Sequence, residues 1–471
     1  MSLNELMIMR HEWALVAVVL LLLIFEIALP DDGKKKINFI AAILVAAVTI
    51  IGFLPAESGS LFGGMYVTDP LRMFMKNILN IGVLLIILQS VNWLSQELYN
   101  DRSSEFYMLT FSSLIGVSYM ISSGHFLMFY LGLELTTIPI AALASYEQFK
   151  TKSAEAGIKL ILSSAFSSAI LLFGISVLFA ANGNLYFESF QLSDSVMNIL
   201  GFIFFFSGLA FKISIVPFHL WTADVYEGSP TNVTSYLSVI SKGSAIFILV
   251  IVLFTVFNSI QMLWQDVLYA TAILTMTIGN LFAIRQQNLK RFLAFSSIAQ
   301  AGFIMLGVIN ASALGMATVI YFIVVYVFSN LAAFGVIQTV GHASGKVTID
   351  DYNGLYKTNP QLSLVMMLAL FSLAGIPPLA GFFGKFFLFT AVAESGFYVL
   401  LMIAVLNAVI SLYYYLLVVK AMFINVNENP IAPFKSDYGM RISLVICVAG
   451  ILATGFYSPV FEYIKNLCET F

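Results

Sequence analysis

The chain has 471 residues, 60% of them hydrophobic and 10% charged, with a formal net charge of −3 and a mean hydropathy of +0.94. Soluble domains carry about 25% charge, so the composition excludes a soluble globular protein, and the negative balance leaves no basic face for nucleic acid. Two cysteines, Cys447 and Cys468, are too few to hold an iron–sulfur cluster, which takes about four ligands, and four scattered histidines suggest no metal site.

A helix that crosses a bilayer needs about 20 apolar residues. In chain order the sequence offers fourteen such spans: 12–29, 38–54, 71–93, 106–122, 125–145, 156–181, 196–222, 231–257, 265–284, 292–310, 313–341, 361–392, 397–422 and 440–461. The first is long enough to cross and no small-residue cleavage site follows it, so it reads as a transmembrane helix and not as a cleavable signal. The longest connections, 342–360 and 423–439, are too short for a soluble domain. Odd-numbered connections carry Lys34, Lys35, Lys36, Arg102, Lys150, Lys152, Arg285, Lys290, Arg291, Lys346, Lys357, Lys435 and Arg441. Even-numbered connections and the termini carry only Arg10, Arg72, Lys76 and Lys465. This asymmetry puts the odd connections in the cytoplasm and both termini on the opposite side. Lys290 and Arg291 read as anchors of that kind.

Two spans are irregular. Pro217 lies inside the seventh, and Gly375-Ile376-Pro377-Pro378 interrupts the twelfth. Proline removes a backbone donor and clashes with the preceding turn, so both helices are expected to break there. Broken helices at matching places in two halves point to an inverted-repeat transporter. The expected fold is therefore an all-α polytopic membrane protein with two inverted five-helix repeats. Residues 1–105 hold spans one to three, 106–257 the first repeat, 265–422 the second, and 440–471 the last span and the C-terminus.

Lys159, Lys212, Lys242, Lys385 and Lys420 fall inside spans, as does Glu134. A charge at the bilayer centre costs roughly 2.5–3.5 kcal/mol on insertion scales, so such residues mark ion or proton pathways. Glu134 is about 15 Å beyond the Gly124 turn, Lys242 about 18 Å beyond Pro230, where Ser229-Pro230 reads as an N-cap and first helical residue, and Lys385 about 16 Å before Gly396. Lys212 lies near the middle of the stretch between Asp194 and Glu227. Four groups thus fall near the midplane. Lys159 and Lys420 lie close to cytoplasmic ends: Lys159 is either a further relay member or a lysine that snorkels to the headgroups, and Lys420 is read as snorkelling; Glu26, near Pro30, is interfacial on the same grounds. Low dielectric disfavours the charged form of lysine and a nearby carboxylate favours it. A row of such lysines, joined by water and by hydroxyls such as Ser163, Ser167, Ser214 and Ser241, would relay protons, with Glu134 tuning Lys212. The competing reading is a static ion pair. His219, after the break in span seven, is either a relay member or an interfacial hydrogen-bonding residue.

The stretch Lys212 to Thr231 (KISIVPFHLWTADVYEGSPT) and the stretch Gly375 to Phe386 (GIPPLAGFFGKF) resemble the broken seventh and twelfth helices of the antiporter-like subunits of respiratory complex I, and the resemblance covers nearly the whole chain. Lys242 in helix eight and Lys385 in helix twelve resemble one of the three paralogous branches; the chain also lacks the long lateral helix of another. Ala223 replaces a commoner proline, and Ala299-Gln300-Ala301 stands where relatives often carry histidine, so helix ten is not expected to titrate. The resemblance implies a membrane-arm subunit of a proton-translocating NADH–quinone oxidoreductase, with Glu134 and Lys212 as a modulating pair, Lys242 as central relay and Lys385 near the exit. It implies no cofactor on this chain: NADH, FMN, iron–sulfur clusters and quinone would belong to partner subunits. Neighbours would be subunits M, K and J and the lateral helix of subunit L, in a bacterial inner membrane with both termini periplasmic. Rival readings are a subunit of a multisubunit sodium/proton antiporter, a non-transporting scaffold of the membrane arm, and a stand-alone solute carrier, the last disfavoured because no substrate pocket is readable.

Overall fold

The computed structural model describes residues 7–28, 35–55, 58–190, 192–193 and 195–471. Pro30, Lys34 and Asp194 lie outside the described residues, as does the Lys35 side chain. The described chain is almost wholly helical, because nearly every segment is too apolar to leave its backbone groups to water and must satisfy them internally.

The helices are α1 (Arg10–Ala28), α2 (Lys35–Gly52), α3 (Pro70–Leu94), α4 (Ser103–Ile121), α5 (Phe126–Ala144), α6 (Thr151–Asn182), α7 (Val196–Ile213), α8 (Leu220–Gly228), α9 (Thr231–Tyr236) and α10 (Lys242–Thr255). They continue with α11 (Gln261–Ile284), α12 (Leu289–Ile309), α13 (Ala313–Ser344), α14 (Pro360–Ala374), α15 (Ala380–Glu394), α16 (Tyr398–Phe423), α17 (Tyr438–Phe456) and α18 (Pro459–Glu469). A short antiparallel hairpin, β1 (Gly59–Leu61) and β2 (Tyr66–Thr68), precedes α3. Among the described residues, eleven helical stretches are long and apolar enough to cross a membrane. The other three expected spans are helical too: the second is α2, the fourth is α4, and the twelfth is divided between α14 and α15.

Helix starts follow their capping residues. Asp69 accepts from the Arg72 N–H at 2.8 Å ahead of Pro70, Asn288 accepts from Lys290 and Arg291 N–H, and Ser312 accepts from Gly315 N–H at 3.2 Å; each satisfies donors the first turn leaves free. Both expected breaks are present. Residues 214–219 separate α7 from α8 and include Ser214 at φ 69, and residues 375–379 separate α14 from α15 and include Gly375 at φ 87. The Val216–Pro217 and Pro377–Pro378 bonds are cis.

Three local expectations are corrected. Ser229 does not cap α9: that helix starts at Thr231 with Pro230 at its N-cap, and the buried Ser229 hydroxyl has no partner. Arg10, Arg72 and Lys76 are not connection charges in water but buried side chains, Arg10 and Arg72 in the first turns of α1 and α3 and Lys76 a turn further into α3. Arg291 and Lys290 are more than headgroup anchors: Arg291 Nη1 binds Asp224 at 2.7 Å and Glu227 at 3.1 Å, and Lys290 Nζ binds the Ser229 carbonyl at 2.7 Å. The cause is that Asp224 and Glu227 are three residues apart and so share one face of α8.

The chain forms two compact units. The first holds residues 1–212 and 240–262, the second residues 213–239 and 263–471. In the first, α4 and α5 approach backbone to backbone: a Cβ on Gly116 would lie 2.4 Å from Thr136 N, and one on Gly132 would lie 2.6 Å from Met120 N. Small residues permit such approach where lipid gives no hydrophobic drive, and this fixes the face of α5 that carries Glu134. In the second, the buried α13 packs against α12, α14, α15, α17 and α18.

Candidate functional site

In the first unit, Lys212 is buried in the last turn of α7. Its ammonium donates to Thr137 Oγ1 at 2.6 Å and to the Leu133 carbonyl at 3.3 Å, both on α5. Thr137 Oγ1 in turn donates to that same carbonyl at 2.7 Å. Glu134, on the same helix, acts on Lys212 electrostatically. Its Oε1 is buried without a hydrogen-bond partner. A buried acceptor without a donor asks for a partner, and the nearest charge of the right sign is a lysine held by neutral oxygens.

Lys242 is 2% exposed and opens α10 directly after a π-helical turn, Leu237–Ser241. Such turns are rare inside helices and recur at functional sites. Lys159 is different. It pairs with Glu155 at 2.6 Å, one turn earlier on α6, and the two side chains are 41% and 55% exposed. That is an ion pair along one face of α6. Lys420 is exposed in the last turn of α16, as its place near a helix end leads one to expect.

In the second unit, Lys385 on α15 is 4% exposed. Its ammonium donates to the Ala374 carbonyl, the last of α14, at 3.0 Å and to Ser411 Oγ at 3.3 Å. It also lies 4.7 Å from the centre of the Phe303 ring. A helix C-terminus carries partial negative charge and a ring face attracts cations, so these fixed dipoles do the work of a counter-ion. Gly375 makes the approach possible, since a Cβ there would meet Lys385 Cδ at 3.1 Å. His219 is half-buried at the start of α8, with Nδ1 buried and unpartnered. Gln300 on α12 donates to the Leu373 carbonyl at 3.0 Å and the Tyr415 hydroxyl at 3.1 Å.

Three of the serines expected to bridge lysines have other partners. Ser163 donates to the Lys159 carbonyl, Ser167 to the Gly208 carbonyl at 2.9 Å, and Ser214 accepts from Thr222 at 2.8 Å. Thr137 meets Lys212 and Ser411 meets Lys385 through their hydroxyls. Ser411 is four residues past Asn407 and so on its helix face, a polar pair in an apolar helix, but nothing in sequence says which lysine it meets.

Residues 123–411 match the model of the family described as NADH:quinone oxidoreductase/Mrp antiporter, transmembrane. The chain is 51% identical over 469 residues to the NADH-quinone oxidoreductase subunit N of Phocaeicola vulgatus, with 99% of each chain covered. A chain of respiratory complex I from Thermus thermophilus superposes with a TM-score of 0.82 at 28% identity, covering 96% of this chain and 98% of that one. A chain of the Mrp complex from a Dietzia species shares the fold alone, with a TM-score of 0.85 at 18% identity over 99% and 97% of the two chains.

Proposed function

The chain belongs to the NADH:quinone oxidoreductase/Mrp antiporter transmembrane family, and from that premise we propose that its buried lysines carry protons across the membrane. It is an antiporter-like membrane-arm subunit of a NADH–quinone oxidoreductase. In this reading quinone reduction in other subunits drives the transfer. Glu134 and Lys212 form the modulating pair, Lys242 is the central station, and Lys385 stands nearer the exit. The observation that carries the reading is the way the lysines are buried: Lys212 and Lys385 are held by carbonyls and hydroxyls, an arrangement that accepts an ammonium without committing it to a permanent salt bridge. A scaffold would do better with leucine at these places. The matching breaks in spans seven and twelve support the division into two inverted repeats, 106–257 and 265–422.

Flavin, iron–sulfur clusters, NADH and quinone are assigned to partner subunits, and the partners are subunits M, K and J and the lateral helix of L. The loop charges support periplasmic termini, and the fourteen expected spans together with the bacterial relatives support a bacterial inner membrane. Near-complete coverage of subunit N relatives favours this assignment over a sodium/proton antiporter subunit. The test is proton pumping per NADH in reconstituted, fully assembled complexes carrying Lys242→Ala. Assembly is expected to survive, because losing a buried charge relieves an insertion cost, while quinone-linked turnover falls and pumping falls further, so that protons moved per NADH drop. Wild-type pumping would leave the scaffold reading in possession.

A further inference from the structure

A second buried charge cluster lies in the three N-terminal helices, outside the residues that match the family model. Lys76 Nζ on α3 donates to Glu12 Oε1 on α1 at 2.6 Å and to the Tyr66 hydroxyl on β2 at 3.0 Å. The Tyr66 hydroxyl donates to Glu12 Oε2 at 2.9 Å. The three groups close a ring in which both carboxylate oxygens accept. Glu12 and Lys76 are each 1% exposed, and Tyr66 is wholly buried. Around them, Arg72 binds Asp69 and the Ile121 carbonyl, His11 Nε2 meets Asn77 Oδ1 at 2.9 Å, and Arg10 binds the carbonyls of Gly52, Leu54 and Pro55. Tyr119, on α4, faces the ring and feels both Glu12 and Lys76.

Holding three helices together does not require this. Apolar side chains of the same volume often replace a buried ion pair with no loss of stability, and ionisable groups kept inside a membrane protein are functional by default. The depth is informative. Glu12 is two residues into α1, and Lys76 is six into α3, about 9 Å. Glu134 is eight residues into α5, about 12 Å from its start. These helix starts follow even-numbered connections or the N-terminus, which on the loop charges is the non-cytoplasmic end. Tyr130, one turn nearer that end than Glu134, is coupled electrostatically to it. Tyr130 thus stands beside Glu134, and Tyr119 beside the ring.

We propose that Glu12, Lys76 and Tyr66 form a proton-release site serving the non-cytoplasmic side; the proposal rests on the relay reading above. At rest the ring is carboxylate and ammonium. A proton arriving from within forms an O–H bond at Glu12 and cancels the charge that holds the ammonium. An N–H bond of Lys76 then breaks and its proton leaves to water on the non-cytoplasmic side. The neutral acid returns its proton to the amine, directly or through the Tyr66 hydroxyl, and the ion pair is restored. One proton enters and one leaves.

The test uses whole complexes in liposomes, measuring protons moved per NADH oxidised. Lys76→Arg keeps a cation for Glu12, which satisfies any structural role, but arginine does not release its proton near neutral pH. Glu12→Gln keeps an oxygen that accepts from Tyr66 and Lys76 but takes up no proton. Both variants are expected to assemble, to lower protons per NADH to the level of Lys242→Ala, and to go no lower when combined with it, because steps in series fail together. A wild-type ratio in both variants overturns the proposal, as does failure of both to assemble, which would assign the ring to folding. The ratio in Lys242→Ala alone reports on the relay, so failure of that reading is seen separately.

Discussion

Lys212 and Lys385 each stand beside a broken helix, yet they are held in different ways. Lys212 has a threonine hydroxyl, a carbonyl and a carboxylate on the same neighbouring helix. Lys385 has a helix-end carbonyl, a serine and an aromatic face, with no carboxylate among the partners its ammonium donates to. The difference concerns control. A carboxylate can move, or change its own charge, and so alter what the lysine prefers; a helix-end carbonyl and a ring cannot. In the proposed relay, the first lysine would be open to modulation and the second would offer a constant affinity.

The strongest way to break this comparison is to remove the carboxylate. Lys212→Ala and Lys385→Ala should both abolish most coupled proton pumping while leaving assembled complex, since each deletes a station. Glu134→Gln should separate them: it removes the modulating charge from Lys212 and leaves the surroundings of Lys385 unchanged. Pumping per NADH should fall severalfold in Glu134→Gln. In that background Lys212→Ala should add little further loss, because the two residues act as a unit. Full additivity of the two substitutions would show that Glu134 does not act through Lys212.

Much of this was legible in the sequence, and for definite reasons. A lysine in an apolar stretch is costly enough to stand out, and proline breaks a helix by covalent geometry, so the buried lysines and both breaks could be placed from residue order alone. The partners could not. Thr137 and Ser411 are two hydroxyls among dozens, and which one meets a lysine is decided by how close α5 and α16 pack. The π turn at Leu237–Ser241 leaves no periodic mark in a stretch that mixes serines with apolar residues and carries no turn or cap signal. Lys76 was misplaced because its charge counts equally well toward a connection. The available signal was Asp69-Pro70, a cap and first-turn proline that put Lys76 well inside a helix. The hairpin that carries Tyr66 is only three residues per strand, too short to show as alternation.

The two breaks can be compared directly as well. Each contains a left-handed residue, glycine at 375 and serine at 214. A side chain in that conformation costs about 1–2 kcal/mol, and at 375 the new Cβ would press on Lys385 Cδ. Gly375→Ala should therefore lower the thermal stability of the complex and, by displacing the ammonium, cut pumping severalfold. Ser214→Gly removes strain of the same size but also removes the acceptor for Thr222, a bond worth about 1 kcal/mol, so its net effect should be close to zero. Equal losses from both substitutions would mean that the breaks are only hinges and that the fit of Lys385 over Gly375 carries no function.

The smallest effects should come from the two hydroxyls, and they sharpen the comparison most finely. A hydrogen bond to a charged group is worth about 1.5–3 kcal/mol, and about 1.4 kcal/mol is a factor of ten in rate. The Thr137 bond to Lys212 is short, 2.6 Å, and that threonine is held in place by its own bond to Leu133. Thr137→Val keeps the shape and deletes the acceptor, so coupled turnover should drop about tenfold. The Ser411 bond to Lys385 is long, 3.3 Å, and the ammonium keeps its carbonyl and ring if the serine is lost. Long bonds are weak, so Ser411→Ala should cost less than about threefold in turnover. The measurement is the initial rate of NADH-driven acidification in liposomes, normalised to assembled complex. If Ser411→Ala proves the more damaging of the two, then Lys385 depends on its hydroxyl more than on the helix end, and the idea of a station set by fixed dipoles fails.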